Sequence, residues 1–105
     1  MHKNLPGSLA SIQDKIEYLY AKAQWFEQRA KQCLSEAGEY EQVAETNSPQ
    51  AGKSEDVRAY VKEIEGAALL CRELAILNVQ KAEKCASEAQ GLEDRLTAYR
   101  AWRAT

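Results

Sequence analysis

The chain has 105 residues, 45% of them hydrophobic, and its 14 Lys and Arg against 16 Asp and Glu give a formal net charge of −2 at pH 7. A charge this close to balance excludes a global basic field of the kind that attracts nucleic acid or an acidic membrane surface. The length predicts a single domain over residues 1–105, and no stretch approaches the roughly eighteen apolar residues of a membrane span.

Helix one is predicted to begin at Ser8, after the break at Leu5, Pro6 and Gly7, and to end at about residue 46. The segment before it lacks the apolar core of a secretory signal, so a cytoplasmic protein is expected. Apolar residues then recur at alternating spacings of three and four, which is typical of a coiled-coil seam. They are Leu9, Ile12, Ile16, Leu19, Ala23, Phe26, Ala30, Cys33, Ala37, Tyr40 and Ala44.

A loop is predicted over about residues 47–54, because Asn47, Pro49 and Gly52 fall within six residues. Ser54 should cap helix two, which is predicted over about 55–103. This helix repeats the seam pattern with Val57, Val61, Ile64, Ala68, Cys71, Ala75, Asn78, Ala82, Cys85, Ala89, Leu92, Leu96 and Tyr99. The sequence therefore predicts an all-α fold, in which two long antiparallel helices form a coiled-coil helical hairpin.

The position of the loop sets which residues face each other across the hairpin. With a short loop there, the register that sets large seam side chains against small ones places Leu19 opposite Ala82 and Cys33 opposite Ala68. The charged pairs that follow are Glu27 with Arg72, Glu41 with Arg58 and Lys15 with Glu88. Lys22 beside Lys81 is a like-charge pair that this register leaves unexplained.

Apolar side chains between residues 69 and 79 point to nearly every side of helix two, so one seam cannot bury them all. One flank is predicted to form a homodimer interface, giving a four-helix bundle; its residues are Tyr18, Trp25, Ala67, Leu70, Leu74 and Leu77. The opposite flank is predicted to bind a different partner protein; its residues are Tyr20, Leu34, Leu69, Ile76 and Val79.

Two further surfaces have competing interpretations. Basic and aromatic residues alternate along helix one as Lys15, Tyr18, Lys22, Trp25 and Arg29. Such a face can bind RNA, by analogy with small dimeric plasmid hairpins, but the favoured interpretation is a partly buried stripe whose Lys and Arg stems cover apolar surface. At the C-terminal end, helix two is expected to extend past helix one from Arg95. The exposed residues Tyr99, Arg100, Trp102 and Arg103 would then bind a partner, or be covered by Leu5 and Pro6 or by the dimer mate.

Catalysis has little support in the sequence. The single histidine is His2, near the terminus, and neither seam carries a carboxylate. Cys33, Cys71 and Cys85 match no zinc spacing and are expected to be reduced, buried and structural. No glycine-rich phosphate loop is present. The expectation is a non-enzymatic protein with no cofactor and no metal.

In size and plan the chain resembles the helical hairpins exported by specialised bacterial secretion systems and the small coiled-coil chaperones that hold them. The exported hairpins carry a Trp-x-Gly turn where this chain has Asn47 to Gly52, so the resemblance covers architecture alone. The prediction is an interaction module of the adaptor, chaperone or small-inhibitor type. An RNA-binding hairpin dimer and a structural subunit that polymerises are the alternatives.

Overall fold

The computed structural model describes residues 7–105, with side chains from residue 10 onward. It consists of two helices, α1 (Gly7–Ala51) and α2 (Glu55–Ala104), joined by a three-residue loop. The helices pack against each other, and the described residues contain no strand. The predicted all-α helical hairpin is confirmed. Neither helix contains a stretch long and apolar enough to cross a membrane.

The buried side chains of the described residues all lie on the two predicted seams. Alanine recurs at every seventh residue on α1 and again on α2; these alanines are Ala23, Ala30, Ala37, Ala44, Ala68, Ala75, Ala82 and Ala89. Small side chains at a helix contact allow the two backbones to approach closely. Larger side chains gather away from the loop, where Ile16, Leu19 and Leu96 form a cluster with Ala89.

The first helix is longer than predicted, because it continues past residue 46 through Pro49 to Ala51. Side chains just before the proline donate hydrogen bonds to carbonyl oxygens four residues earlier, at 2.9, 2.8 and 2.9 Å; the donors are Thr46, Asn47 and Ser48. Their polar groups are thus satisfied without leaving the helix. No described residue has a positive φ, so Asn47 and Gly52 do not form the expected left-handed turn. The prediction of a loop beginning at residue 47 was wrong.

The start of the second helix agrees with the prediction. Ser54 accepts a hydrogen bond from the backbone N–H of Val57 at its side-chain oxygen, at 3.4 Å, and from that of Arg58 at its carbonyl oxygen, at 3.0 Å. Glu55 and Asp56 occupy the first turn, where negative charge is favourable. The Arg58 side chain reaches back across the loop to the carbonyl oxygen of Ala51, at 3.1 Å. Ser54 is therefore the predicted N-cap.

The predicted register was wrong by one heptad. Leu19 packs in a cluster with Ala89 and not with Ala82, and Cys33 packs with Ala75 and not with Ala68. The cause is the longer α1: moving the turn toward the C-terminus shifts every facing residue on α2 in the same direction. Arg72 accordingly pairs with Glu41, which had been assigned to Arg58. Lys15 and Glu88 line one surface depression, in agreement with their predicted proximity.

The hairpin divides into two compact units, each containing a segment of both helices. We call Gln28–Val79 the loop unit, because it includes the loop. We call residues 7–27 together with Gln80–Thr105 the end unit. The larger seam residues and their core cluster belong to the end unit, and the Cys33 cluster belongs to the loop unit.

Candidate functional site

The most unusual surface of the loop unit is the part of α2 between Leu69 and Val79. Its seam residues Cys71 and Ala75 are already buried against α1. Six large aliphatic side chains nevertheless remain exposed in this short segment; they are Leu69, Leu70, Leu74, Ile76, Leu77 and Val79. A helix that is apolar on nearly all sides is normally buried on nearly all sides. The hairpin by itself covers only one side of this segment.

The first group of these side chains forms a continuous row on one flank of α2. Leu70, Leu74 and Leu77 are 56%, 41% and 50% exposed, and Ala67 is half-buried beside them. We call these four residues the leucine stripe. Their spacings of three, four and three keep them on one face of a helix. Tyr18 and Trp25, predicted to share this interface, are exposed but belong to the end unit, so the stripe itself consists of α2 residues alone.

The second group lies on the opposite flank and includes one residue from α1. The Arg72–Glu41 contact fixes this flank, since Leu34 and Val79 each lie one heptad from a member of that pair. We call Leu34, Leu69, Ile76 and Val79 the second apolar patch. All four side chains are exposed. The predicted exposure of these four side chains is confirmed, and their role in binding a partner stays a prediction.

Tyr20 belongs to the end unit and is engaged there. Interaction of its hydroxyl with the Glu93 carboxylate is the main reason that the pKa of Tyr20 is raised. Partial burial and the negative charges of Glu93 and Asp94 act in the same direction. The hydroxyl of Tyr20 therefore contacts α2 of its own unit.

A bidentate ion pair connects the two helices of the loop unit. Arg72 donates from Nε and from one terminal nitrogen to the two carboxylate oxygens of Glu41, at 2.8 and 2.6 Å. These hydrogen bonds lower the pKa of Glu41 and raise the pKa of Arg72. Both side chains are about half exposed, so solvent screens the attraction, and the pair serves more to fix register than to stabilise the fold.

The three cysteines are free, with Cys33 and Cys71 buried and Cys85 half-buried. Burial is the main cause that raises the pKa of Cys71, and the neighbouring Glu36 and Cys33 raise it further. Its sulfur lies 4.0 Å from a carboxylate oxygen of Glu36. A raised pKa keeps the thiol protonated and weakly nucleophilic. This geometry fits the predicted structural role.

The end unit carries a groove of about 330 Å³ bordered by lysines from both helices. Lys22, Lys81 and Lys84 line it together with Phe26, and Glu88 is its one carboxylate. Lys22 and Lys81, expected from the sequence as an unexplained like-charge pair, thus line the same groove. Arg29, which the sequence placed on the same basic face, belongs to the loop unit.

The C-terminal end of α2 extends past α1 by less than predicted. Leu96 is 4% exposed and belongs to the main core cluster, and Arg95 lines a depression together with Lys15 of α1. The shift of the register by one heptad accounts for both contacts. Tyr99 is half-buried and its ring lies 6.0 Å from that of Trp102, which is 69% exposed. Arg100 and Arg103 are exposed, and the predicted cover by Leu5 and Pro6 lies outside the described residues.

No family model, curated protein or solved structure matches this chain. The resemblance to exported hairpins and their chaperones therefore extends to the helical hairpin and no further. Within residues 7–105, no three His, Cys, Asp or Glu side chains lie close enough together to hold a metal ion. The candidate sites are thus surfaces of the two units: the leucine stripe, the second apolar patch and the lysine groove.

Proposed function

We propose that this hairpin is a non-enzymatic protein-interaction module of the adaptor, chaperone or small-inhibitor type. It homodimerises through the leucine stripe into a four-helix bundle and binds a partner protein through the second apolar patch. The observation that carries the proposal is the aliphatic segment from Leu69 to Val79, which exposes apolar side chains on both flanks while its seam is filled. Exposed patches of this kind mark contact surfaces in soluble proteins.

The size of the stripe limits how strong a dimer it can form. Its three leucines are 41–56% exposed, so covering them removes about half of each side chain from water. Since complete burial of a leucine contributes about 1.5–3 kcal/mol, two stripes together contribute about 5–9 kcal/mol. Association costs about 4–15 kcal/mol. A dimer held by the stripe alone is therefore weak, and the polar residues around it must add complementary contacts.

The decisive experiment is light scattering on Leu74→Glu. This change places an unpaired charge in the middle of the stripe without touching the seam, so helicity should persist while the dimer dissociates to monomers. Gln80→Glu is the matched control, because it adds the same charge to an exposed position of α2 outside the stripe. An unchanged dimer mass for Leu74→Glu, with helicity intact, would refute the stripe as the interface.

The partner role of the second apolar patch is tested separately. Ile76 is 59% exposed on the other flank, so Ile76→Glu should leave the dimer mass unchanged and abolish capture of the partner from its native extract. If Ile76→Glu dissociates the dimer instead, the two flanks have exchanged roles. Filaments that grow with protein concentration would favour the polymerising subunit over a closed dimer.

A further inference from the structure

Charge is divided unequally between the two flanks of the end unit. Two neighbouring surface depressions that share Glu88 lie along one flank, which we call the basic flank. Its cations are Lys15, Lys22, Lys81, Lys84 and Arg95, with Glu88 as the one carboxylate among the lining residues. The other flank contains Tyr20 and Glu93, which interact with each other. Heptad spacing from these two residues places Glu17, Glu27 and Glu83 on it as well.

This division gives the basic flank a local positive field, although the chain as a whole has a net charge of −2. Lys22, Lys81 and Lys84 come from both helices and converge on one groove. In the free protein these ammonium groups repel one another. A bound polyanion replaces that repulsion by attraction, so the arrangement favours a ligand with several negative charges in a row.

Aromatic rings alternate with the cations on the same flank. Tyr18 and Trp25 are 61% and 57% exposed, and they alternate with Lys15 and Lys22 at spacings of three and four. The ammonium group of Lys22 lies 5.7 Å from the centre of the Tyr18 ring. The rise of an α-helix separates Tyr18 from Trp25 by about 10 Å along its axis. Two exposed rings at this separation can each stack on a different base.

We propose that the basic flank of the end unit binds single-stranded nucleic acid, with lysines on the phosphates and Tyr18 and Trp25 stacked on bases. Exposed rings discriminate against duplexes, because only unstacked bases offer a free face. The lysines of α2 are the main reason for assigning nucleic-acid binding to this flank. Helix one alone offers Lys15 and Lys22, and the hairpin adds Lys81 and Lys84 to the same surface. This site is separate from the apolar surfaces of the loop unit, so it does not rest on the proposed protein-interaction role.

Fluorescence anisotropy with labelled single strands of about twelve uridines or twelve thymidines tests the proposal directly. At about 50 mM salt we expect binding with a dissociation constant of about 1–100 μM. With four lysines on phosphates, the logarithm of the affinity should fall with the logarithm of salt concentration with a slope of about −2 to −3. The two strands distinguish the sources: tighter binding of the uridine strand indicates RNA, and equal binding indicates any single strand.

A pair of triple variants separates the site from general electrostatics. Lys22→Gln, Lys81→Gln and Lys84→Gln together should weaken binding at least about tenfold and reduce the salt slope by about two. Lys31→Gln, Lys53→Gln and Lys62→Gln remove the same charge from exposed positions of the loop unit and should change affinity by less than about threefold.

Stacking is tested by a third comparison. Trp25→Leu should weaken binding by about fivefold or more while leaving the salt slope unchanged, because it removes a stacking surface and no charge. Trp102→Leu changes another exposed tryptophan and should have no effect on binding.

Three results would overturn the proposal, provided that circular dichroism shows the variants to be helical. One is the absence of binding to either strand at low salt. Another is an equal loss of affinity in the two lysine triples, which would indicate a response to net charge alone. The third is unchanged binding in Trp25→Leu together with full displacement by inorganic tripolyphosphate, which would mark a site for any polyanion.

Discussion

Three glycines lie inside the helices at positions where the fold does not require glycine. Gly38 is in α1, and Gly66 and Gly91 are in α2. A Cβ atom added at any of the three meets nothing within 4 Å, and none of them has a positive φ. Alanine therefore fits each position without strain. Replacing all three by alanine should stabilise the hairpin.

The expected gain can be worked out from helix propensity. Glycine in a helix interior costs about 0.5–1 kcal/mol relative to alanine, mostly through the larger entropy of the unfolded chain. The three positions are exposed and share no partner, so their effects should add to about 1.5–3 kcal/mol. For a domain of this length each kcal/mol raises the melting temperature by about 4–8 °C. The triple variant should melt about 6–24 °C above the wild type.

Thermal melts followed by circular dichroism, at one fixed protein concentration, measure this shift. Ala21→Gly is the matched reverse control, because Ala21 is an exposed interior residue of α1 and its replacement should lower the melting temperature. A single variant among the three that melts below the wild type would show that the backbone there is not regular helix. That result would refute a continuous helix at the position of the glycine, in α1 or in α2.

Two further predictions concern single side chains. Hydrogen bonds from Arg72 lower the pKa of Glu41, so the pair's contribution is complete above the ordinary carboxyl pKa of 4.5 and is lost as pH falls through the lowered value. The free energy of unfolding, measured in urea, should therefore fall more between pH 6 and pH 3 for the wild type than for Arg72→Met. Parallel pH profiles of the two proteins would show that the pair is not formed in solution. Trp102 is 69% exposed, so Trp102→Ala should leave the melting temperature nearly unchanged; a clear drop would place this side chain in a core or dimer contact.

Periodicity made the helices and their seams predictable, because burial on one side of a helix imposes the three-and-four spacing on the sequence itself. Every buried side chain of the described residues was on a predicted seam position. The end of α1 was not predictable in this way. Polar residues before Pro49 usually indicate a turn, but here Thr46, Asn47 and Ser48 bond back to their own helix.

The error at the loop had a consequence for the candidate sites. Register in a hairpin follows from the position of its turn, so the facing partners of Leu19, Cys33 and Glu41 were each displaced. The prediction of the apolar flanks of α2 was not affected by this error, since it depends only on residue spacing within one helix. The charge division of the end unit could not be recognised from α1 alone, because Lys81 and Lys84 join it from α2.

Because alanine recurs at every seventh residue of both seams, the packing in the middle of the hairpin does not select one register of the two helices. Sliding one helix by seven residues would again bring an alanine of α2 to Leu19 and to Cys33, with little change in side-chain volume there. The alignment must therefore be selected elsewhere, by the bulky cluster around Ile16, Leu19 and Leu96 and by the length of the loop. An evolving gene can insert or delete whole heptads in both helices without rebuilding the interior, whereas a change of one or two residues in the loop would misalign the entire molecule.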